Sequence, residues 1–424
     1  MLVAIPVTLV NSYYGILVYY WVNYMRPLEL AWYIAYFDYG TYLAAALLMG
    51  YFYTTIHKDP LKFTHLWPFF LLWGLVTFSA VAAYLPAIAW KKWWELTKVA
   101  IICVMAVSII HHYEERLKRL MLVIALSAGV LGAHGFKQAL FTGGGTVKGP
   151  GGQLGENNDF AIFLNMMVPI IYYVSRVEEN RRWRPLMIAL CGAAAIACVF
   201  TYSRAGFLGL CTIVLVMSFK ANKKWVGIGG LTLAAVLFLL FAPQRVRDRI
   251  ASIKTASTTD LSTQSRFEAW KCAVEMAKRH PLVGVGPRNF TFVFNYFKKG
   301  VPWDTHNGFL RIMAESGIPA FLAFVFLIFY CYSVPRRMRR RLQKAGGPDH
   351  LIQYCHGLEV MIPAYIIGNL FNSRHDLDNF YYLVPVVACI RIQAEAWLAQ
   401  NVMTDTQRRA QLFRQRFTLS PAAR

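Results

Sequence analysis

Four arginines and a histidine concentrate the chemistry that this sequence offers. Arg204 lies in TYSRAG, Arg266 in SRFEAWKCAVEMAKRH, Arg288 in GVGPRNF and Arg374 in NSRHDLDN, while His306 opens the stretch HNGFLRIMAESGIPA. Each stands beside a long apolar run. An arginine near hydrocarbon is costly unless it is paired, and a phosphate or diphosphate is a natural bidentate partner for a guanidinium. Interfacial anchoring explains any one of these arginines equally well; the group as a whole points to an anion site. His306 adds a base that titrates near neutral pH, with His375 as a rival. A histidine at a helix start is more often a capping or interfacial residue than a catalyst, so its place among the arginines is what argues for catalysis.

Local signals refine this. Ser265 and Glu268 form an S-x-x-E capping box, predicting a helix that starts there with Arg266 in its first turn. The helix dipole disfavours a cation at that position, and a bound anion would relieve it; a nearby carboxylate would do the same. Phe267, Trp270, Val274 and Ala277 share one face, as in an amphipathic helix lying on a membrane. Asp304 or Thr305 is placed to cap the next helix, putting His306 in its first turn beside Asn307. Glu315 follows about 14 Å deeper at 1.5 Å per residue. It needs a partner, and Arg311 lies one turn above it; the pair reads as structural, and Pro319 just below suits a kink. GVGPRNF offers backbone N–H groups near Arg288, but no G-K-[ST] follows, so it is not a P-loop. No carboxylate pair, D-x-D or histidine spacing suggests a metal site. Metal-independent chemistry is expected, with cations stabilising a leaving diphosphate.

The elements that must position these residues are helices in a membrane. The chain is 57% hydrophobic and 16% charged, with a mean hydropathy of +0.39. Soluble domains run at about 45–50% apolar and about 25% charged. Apolar runs predict an all-α polytopic membrane protein with about twelve transmembrane helices. The predicted spans are 4–24, 34–56, 66–86, 96–111, 119–140, 158–175, 185–202, 205–219, 225–242, 307–333, 355–372 and 379–398. This divides the chain into nine spans over 1–242, one long outer loop over 243–306, three spans over 307–398 and a basic tail over 399–424. Basic connectors such as PRRMRRRLQK alternate with less basic ones, and the positive-inside rule sets the basic side to the cytoplasm. That rule absorbs most of the net charge of +22, and no nucleic-acid motif is present. AWKKWW breaks the rule and reads as an interfacial segment whose lysines reach headgroups. The first apolar run lacks a charged start and continues into helical sequence, unlike a cleaved leader. Seven of the eight cysteines fall in or beside apolar runs and show no pairing pattern, as expected of small buried residues.

At these residues the sequence resembles the O-antigen ligase and polymerase superfamily of bacterial envelope glycosyltransferases. GENNDFAIFLNMMVPI, TYSRAGFLGL, SRFEAWKCAVEMAKRHPLVGVGPRNF and THNGFLRIMAESGIPAFLAF carry the likeness in that order, over roughly residues 155–330. The amino-terminal part, with SYYGILVYYWVNYMRPLELAW, is similar to O-glycosylation ligases. The resemblance implies a GT-C-type helical enzyme in the bacterial inner membrane, its active site facing the periplasm between the long loop and the bundle. It implies a glycan donor on undecaprenyl diphosphate and no cofactor. For a ligase, the acceptor is a sugar hydroxyl of lipid A-core. Carried over by motif, Arg204 and Arg266 match the family's anion-binding arginines, and His306 its loop-end histidine, which activates the acceptor; Arg288 matches more loosely, as a further diphosphate ligand. Asn307, Arg311 and Glu315 would support the site. A polymerase or a protein O-oligosaccharyltransferase shares donor and chemistry, so the acceptor stays open. A lipid-linked glycan transporter is the alternative of another class; the spans show no obvious repeat of the kind many transporters have.

Overall fold

The computed structural model describes residues 4–30, 39–221, 225, 229 and 261–418. Among them every regular element is a helix. Six helices are long and apolar enough to cross a membrane: Pro86–Ile110, Glu114–Phe141, Asn157–Val177, Trp183–Phe200, Gly308–Ala345 and Asp378–Asn401. The chain is a multi-pass membrane protein.

Several expected spans take a different form. The first is two helices, Ala4–Val10 and Ser12–Met25. They break at Asn11, whose side chain accepts from the Tyr13 and Tyr14 N–H groups and caps the second. The helix Trp67–Val81 is 15 residues long, short of a full crossing. Arg204–Lys220 has 17 residues, and Asp349–Phe371 has 23 with polar residues at its start. The predicted span 225–242, save residues 225 and 229, and the start of 34–56 lie outside the described residues.

The Asn157–Val177 helix sits at the centre, packed against Asp349–Phe371, Trp183–Phe200 and Glu114–Phe141. Sixteen of its residues are buried, including Asp159 and Asn165. A second, smaller core belongs to the loop between the bundle halves. Ala269, Cys272, Ala273 and Met276 of the Leu261–Arg279 helix pack there with Val285, Phe290, Phe294 and Ala314. The helix packs these small residues on residues 285–294 and Ala314, and of the face expected to lie on a membrane Phe267 and Val274 stay exposed while Ala277 is buried. The chain is already helical at Leu261, the first described residue of this stretch, so Arg266 lies beyond a first turn and the dipole argument for an anion there lapses. A capping box is a local preference, and the residues before it are helical as well.

AWKKWW is corrected too. It belongs to the Pro86–Ile110 helix, and Lys92 turns inward, 3.0 Å from Glu95 and 2.9 Å from Asp376. The carboxylates of another segment outcompete headgroups, and only the folded chain brings them there.

Candidate active site

The site is organised around a break in the Gly308–Ala345 helix. Gly317 has φ 84° and ψ 171° inside it. Pro319 has no N–H, so the Glu315 carbonyl loses its usual helical donor. Two outside donors replace it, the Gly286 N–H at 2.8 Å and Ser79 Oγ at 2.9 Å. The neighbouring groups are exchanged in the same way: Val285 N–H donates to Ala314 and Ile318 N–H donates to Pro281. The segment 281–290 is thus hydrogen-bonded into the gap in the helix, which keeps buried backbone groups paired. Glycine is required at Gly317, since a Cβ there would lie 2.5 Å from the Leu282 carbonyl oxygen.

The Glu315 side chain closes this junction. It accepts from the Arg288 N–H at 2.9 Å, the Phe290 N–H at 3.4 Å and Arg311 Nε at 3.0 Å. The expected Arg311–Glu315 pair is present, and it also clamps the GVGPRNF segment. Arg311 reaches further, to Asp304 at 2.9 Å. Asp304 in turn accepts from the Thr305 N–H and from Ser373. The turn that carries His306 is therefore tied to its own helix through Arg311 and to the 372–377 turn through Ser373. A third tie runs from Trp270 Nε1 to the Thr305 carbonyl, 2.7 Å.

Asn307 caps the helix, accepting from the Phe309 and Leu310 N–H groups at 3.0 Å each. This corrects the expectation that Asp304 or Thr305 caps it. His306 consequently lies outside the helix with φ 44°. A left-handed conformation costs a non-glycine residue roughly 1–2 kcal/mol, and such strain gathers at functional sites. Burial lowers the His306 pKa from its ordinary value. Asp304 opposes this, Arg266 and Arg311 reinforce it, and Asp159 opposes it weakly. The imidazole is thus held toward its neutral form, as a general base requires.

Beside this turn, Arg374 pairs with Asp159, which also accepts from Asn372. Burial alone would raise the Asp376 carboxyl, but Lys92, His375 and Arg374 overturn that and hold it far below the usual range. His375 is shifted down, chiefly by burial.

A cavity of about 990 Å³ opens against these groups. Of the expected residues, Arg288, Arg311 and Glu315 line it, together with Arg374 and His375. Among the described residues, Arg204, Arg266, His306 and Asn307 do not line it. Arg266 is electrostatically joined to His306, whereas Arg204 is exposed at the start of the Arg204–Lys220 helix, after the Ser203 cap. No described group of three His, Cys, Asp or Glu side chains could hold a metal ion.

Sequence reasoning missed Asp159, Lys92 and Arg26. For Asp159 a signal existed: a carboxylate heading a span that is otherwise apolar asks for a partner. Arg26 and Lys92 each have a carboxylate three residues on, Glu29 and Glu95, a local signal, whereas the Asp376 partner of Lys92 lies far along the chain and no local pattern marks it.

Residues 187–325 match a family model described as O-antigen ligase. Residues 1–178 match a model described as a family of unknown function. No curated protein matches the chain.

Proposed function

We propose that this chain, which through residues 187–325 belongs to the O-antigen ligase and polymerase superfamily, is an O-antigen ligase of the bacterial inner membrane. It transfers a glycan from undecaprenyl diphosphate to a sugar hydroxyl of lipid A-core at the periplasmic face, without a metal ion. The acceptor oxygen attacks the anomeric carbon, the bond from that carbon to the diphosphate breaks, and the diphosphate leaves with both electrons on its lipid carrier. His306 takes the acceptor proton. Arg204, Arg266 and Arg288 neutralise the leaving charge, which cations in a low-dielectric site do without reorganisation.

One observation supports this reading above the others. His306, strained and half-buried, stands in the field of Arg266 and Arg311 on a turn fixed by three separate elements. That is a preorganised base beside cations, and its building cost has no structural return. The test is reconstitution of the purified chain with an undecaprenyl-diphosphate glycan and a panel of lipid A-core, lipid-linked glycan and protein acceptors. Lipid A-core should gain the glycan's mass. Arg204→Ala and Arg266→Ala should abolish transfer while leaving the protein folded, and lysine should rescue poorly, being a point charge rather than a planar fork. Normal transfer by either alanine variant removes that arginine from the site. Mass gained by another glycan or a protein instead would identify a polymerase or an oligosaccharyltransferase.

A further inference from the structure

The cavity of about 990 Å³ is not built by the O-antigen ligase segment alone. Arg288, Arg311, Glu315 and their neighbours supply one side, from within residues 187–325. The amino-terminal segment supplies four further stretches, Tyr19–Glu29, Tyr39–Thr41, Leu72–Val99 and Gly152–Gln153. Residues 373–382, outside both matched segments, complete it.

The chemistry of this lining differs from that of an anion site. Most of its cations already lie against carboxylates, while Lys98 donates to Thr41 Oγ1. Lys92 lies 3.0 Å from Glu95 and 2.9 Å from Asp376, Arg26 3.1 Å from Glu29, Arg311 3.0 Å from Glu315, and Arg288 3.8 Å from Glu95. A diphosphate here would have to displace those carboxylates and then face them as like charges. What remains is a surface of paired charges rich in donors and acceptors. Arg26 Nε, a donor, and Asp376 Oδ1, an acceptor, are both buried without a hydrogen-bond partner among the described residues. Tyr19, Tyr381 and Tyr382 add ring surface, and Tyr19 and Tyr382 are joined through their hydroxyls at 2.9 Å. Paired carboxylates and cations meet hydroxyl groups in both senses, as acceptor and as donor, and aromatic rings pack against the apolar faces of sugar rings. About 990 Å³ lies at the upper end of the range for small-molecule sites, roughly 300–1,000 Å³.

We propose that this cavity is a subsite for an uncharged, hydroxyl-rich saccharide, and that the amino-terminal segment 1–178 selects which saccharide fits. The proposal rests on the glycan-transfer reading, and it divides the labour of the site. The anion is handled at Arg204 and Arg266 outside the cavity together with Arg288, which is half-exposed where it lines the cavity, and the sugar is held deeper within it. Arg311 connects the two, since it lines the cavity and also holds Asp304 next to His306.

The experiment separates sugar from anion, and donor from acceptor. Saturation-transfer NMR on the full chain in nanodiscs would use the methyl glycosides of glucose, galactose, N-acetylglucosamine and rhamnose, with inorganic diphosphate as the competing probe. At least one glycoside should bind, and diphosphate should not displace it. Asn23→Trp and Leu28→Trp fill the cavity from the amino-terminal wall and should each weaken that binding at least ~10-fold, about 1.4 kcal/mol. Asn23→Ala removes the amide without adding bulk and should weaken it too. Unchanged unfolding midpoints and elution profiles qualify each variant. Displacement by diphosphate, binding that survives the filled cavity, or no binding by any glycoside overturns the proposal. In the transfer assay the filled variants should raise KM for one glycan substrate, acceptor or donor, and so identify the occupant; unchanged KM for both overturns the proposal. Glycoside binding by a chain that transfers nothing would instead sink the ligase reading and leave the subsite standing.

Discussion

Removing the Glu315 carboxylate should release the 281–290 segment from the helix break. The side chain is 4% exposed and takes Arg311 Nε at 3.0 Å, with the Arg288 and Phe290 N–H groups at 2.9 Å and 3.4 Å. Breaking a buried pair by deleting one partner costs roughly 3–5 kcal/mol. Arg311 keeps Asp304 at 2.9 Å, which favours the lower end, while two backbone N–H groups losing their acceptor push upward by about 1–3 kcal/mol each where water does not replace it. Glu315→Ala should therefore destabilise by about 4 kcal/mol, within the range for buried pairs. Glu315→Gln keeps one carbonyl acceptor for Phe290 and Arg311 but turns an NH2 toward the Arg288 N–H, so it loses charge assistance and one acceptor, about 1–3 kcal/mol. Denaturant unfolding of the purified chain in detergent gives both values, and limited proteolysis between residues 281 and 306 shows which segment is freed. Alanine and glutamine variants of equal stability, or an alanine variant whose loop is as protected as in the wild type, would refute the clamp.

Other outcomes follow from the same geometry. His306→Ala should lose about 10²–10⁴-fold in turnover with donor binding nearly intact; a collapse of donor binding would make His306 a binding residue. The wild-type rate should fall only below the ordinary imidazole range, because burial and then Arg266 and Arg311 disfavour the protonated form against Asp304. Arg266→Gln should raise the His306 pKa, read by imidazole NMR of the folded variant rather than by rate, and an unmoved titration would remove Arg266 from the base's surroundings. Transfer should continue in excess chelator, since cations stand ready to neutralise the leaving charge; loss of activity restored by magnesium or manganese defeats that expectation. Gly317→Ala should cost about 1–2 kcal/mol from the left-handed backbone alone, and more from the Leu282 carbonyl 2.5 Å from the added Cβ; a thermal melt indistinguishable from wild type would show that the break relaxes.

The glycines at the break show how much of the site is legible in the chain. Pro319 announces a defect in the Gly308–Ala345 helix from the sequence, because a missing N–H is a property of the residue. Arg311 and Glu315 announce their pairing, because a separation of four places them on one helix face. What the defect is for was not legible: the carbonyls of Ala314 and Glu315 are answered by Val285, Gly286 and Ser79, and nothing in the helix names those partners. The same division separates right from wrong in the caps. Asn307, Asp304 and Thr305 are all competent N-caps by residue type. Asp304 is withdrawn by Arg311 and Ser373, and Thr305 sits 2.7 Å from Ser373, so Asn307 is left to cap and His306 is turned out of the helix. The sequence by itself determined that the chain is helical and membrane-embedded, and which motifs cluster near helix ends, because hydropathy, period and residue type act within one segment. Tertiary structure alone decided that Lys92 faces Asp376 rather than lipid, that the Leu261–Arg279 helix packs its small residues on the 285–294 segment, and that the amino-terminal segment walls the cavity. Each of those choices is a competition between partners far apart in the chain, and only their positions in the folded molecule set its outcome.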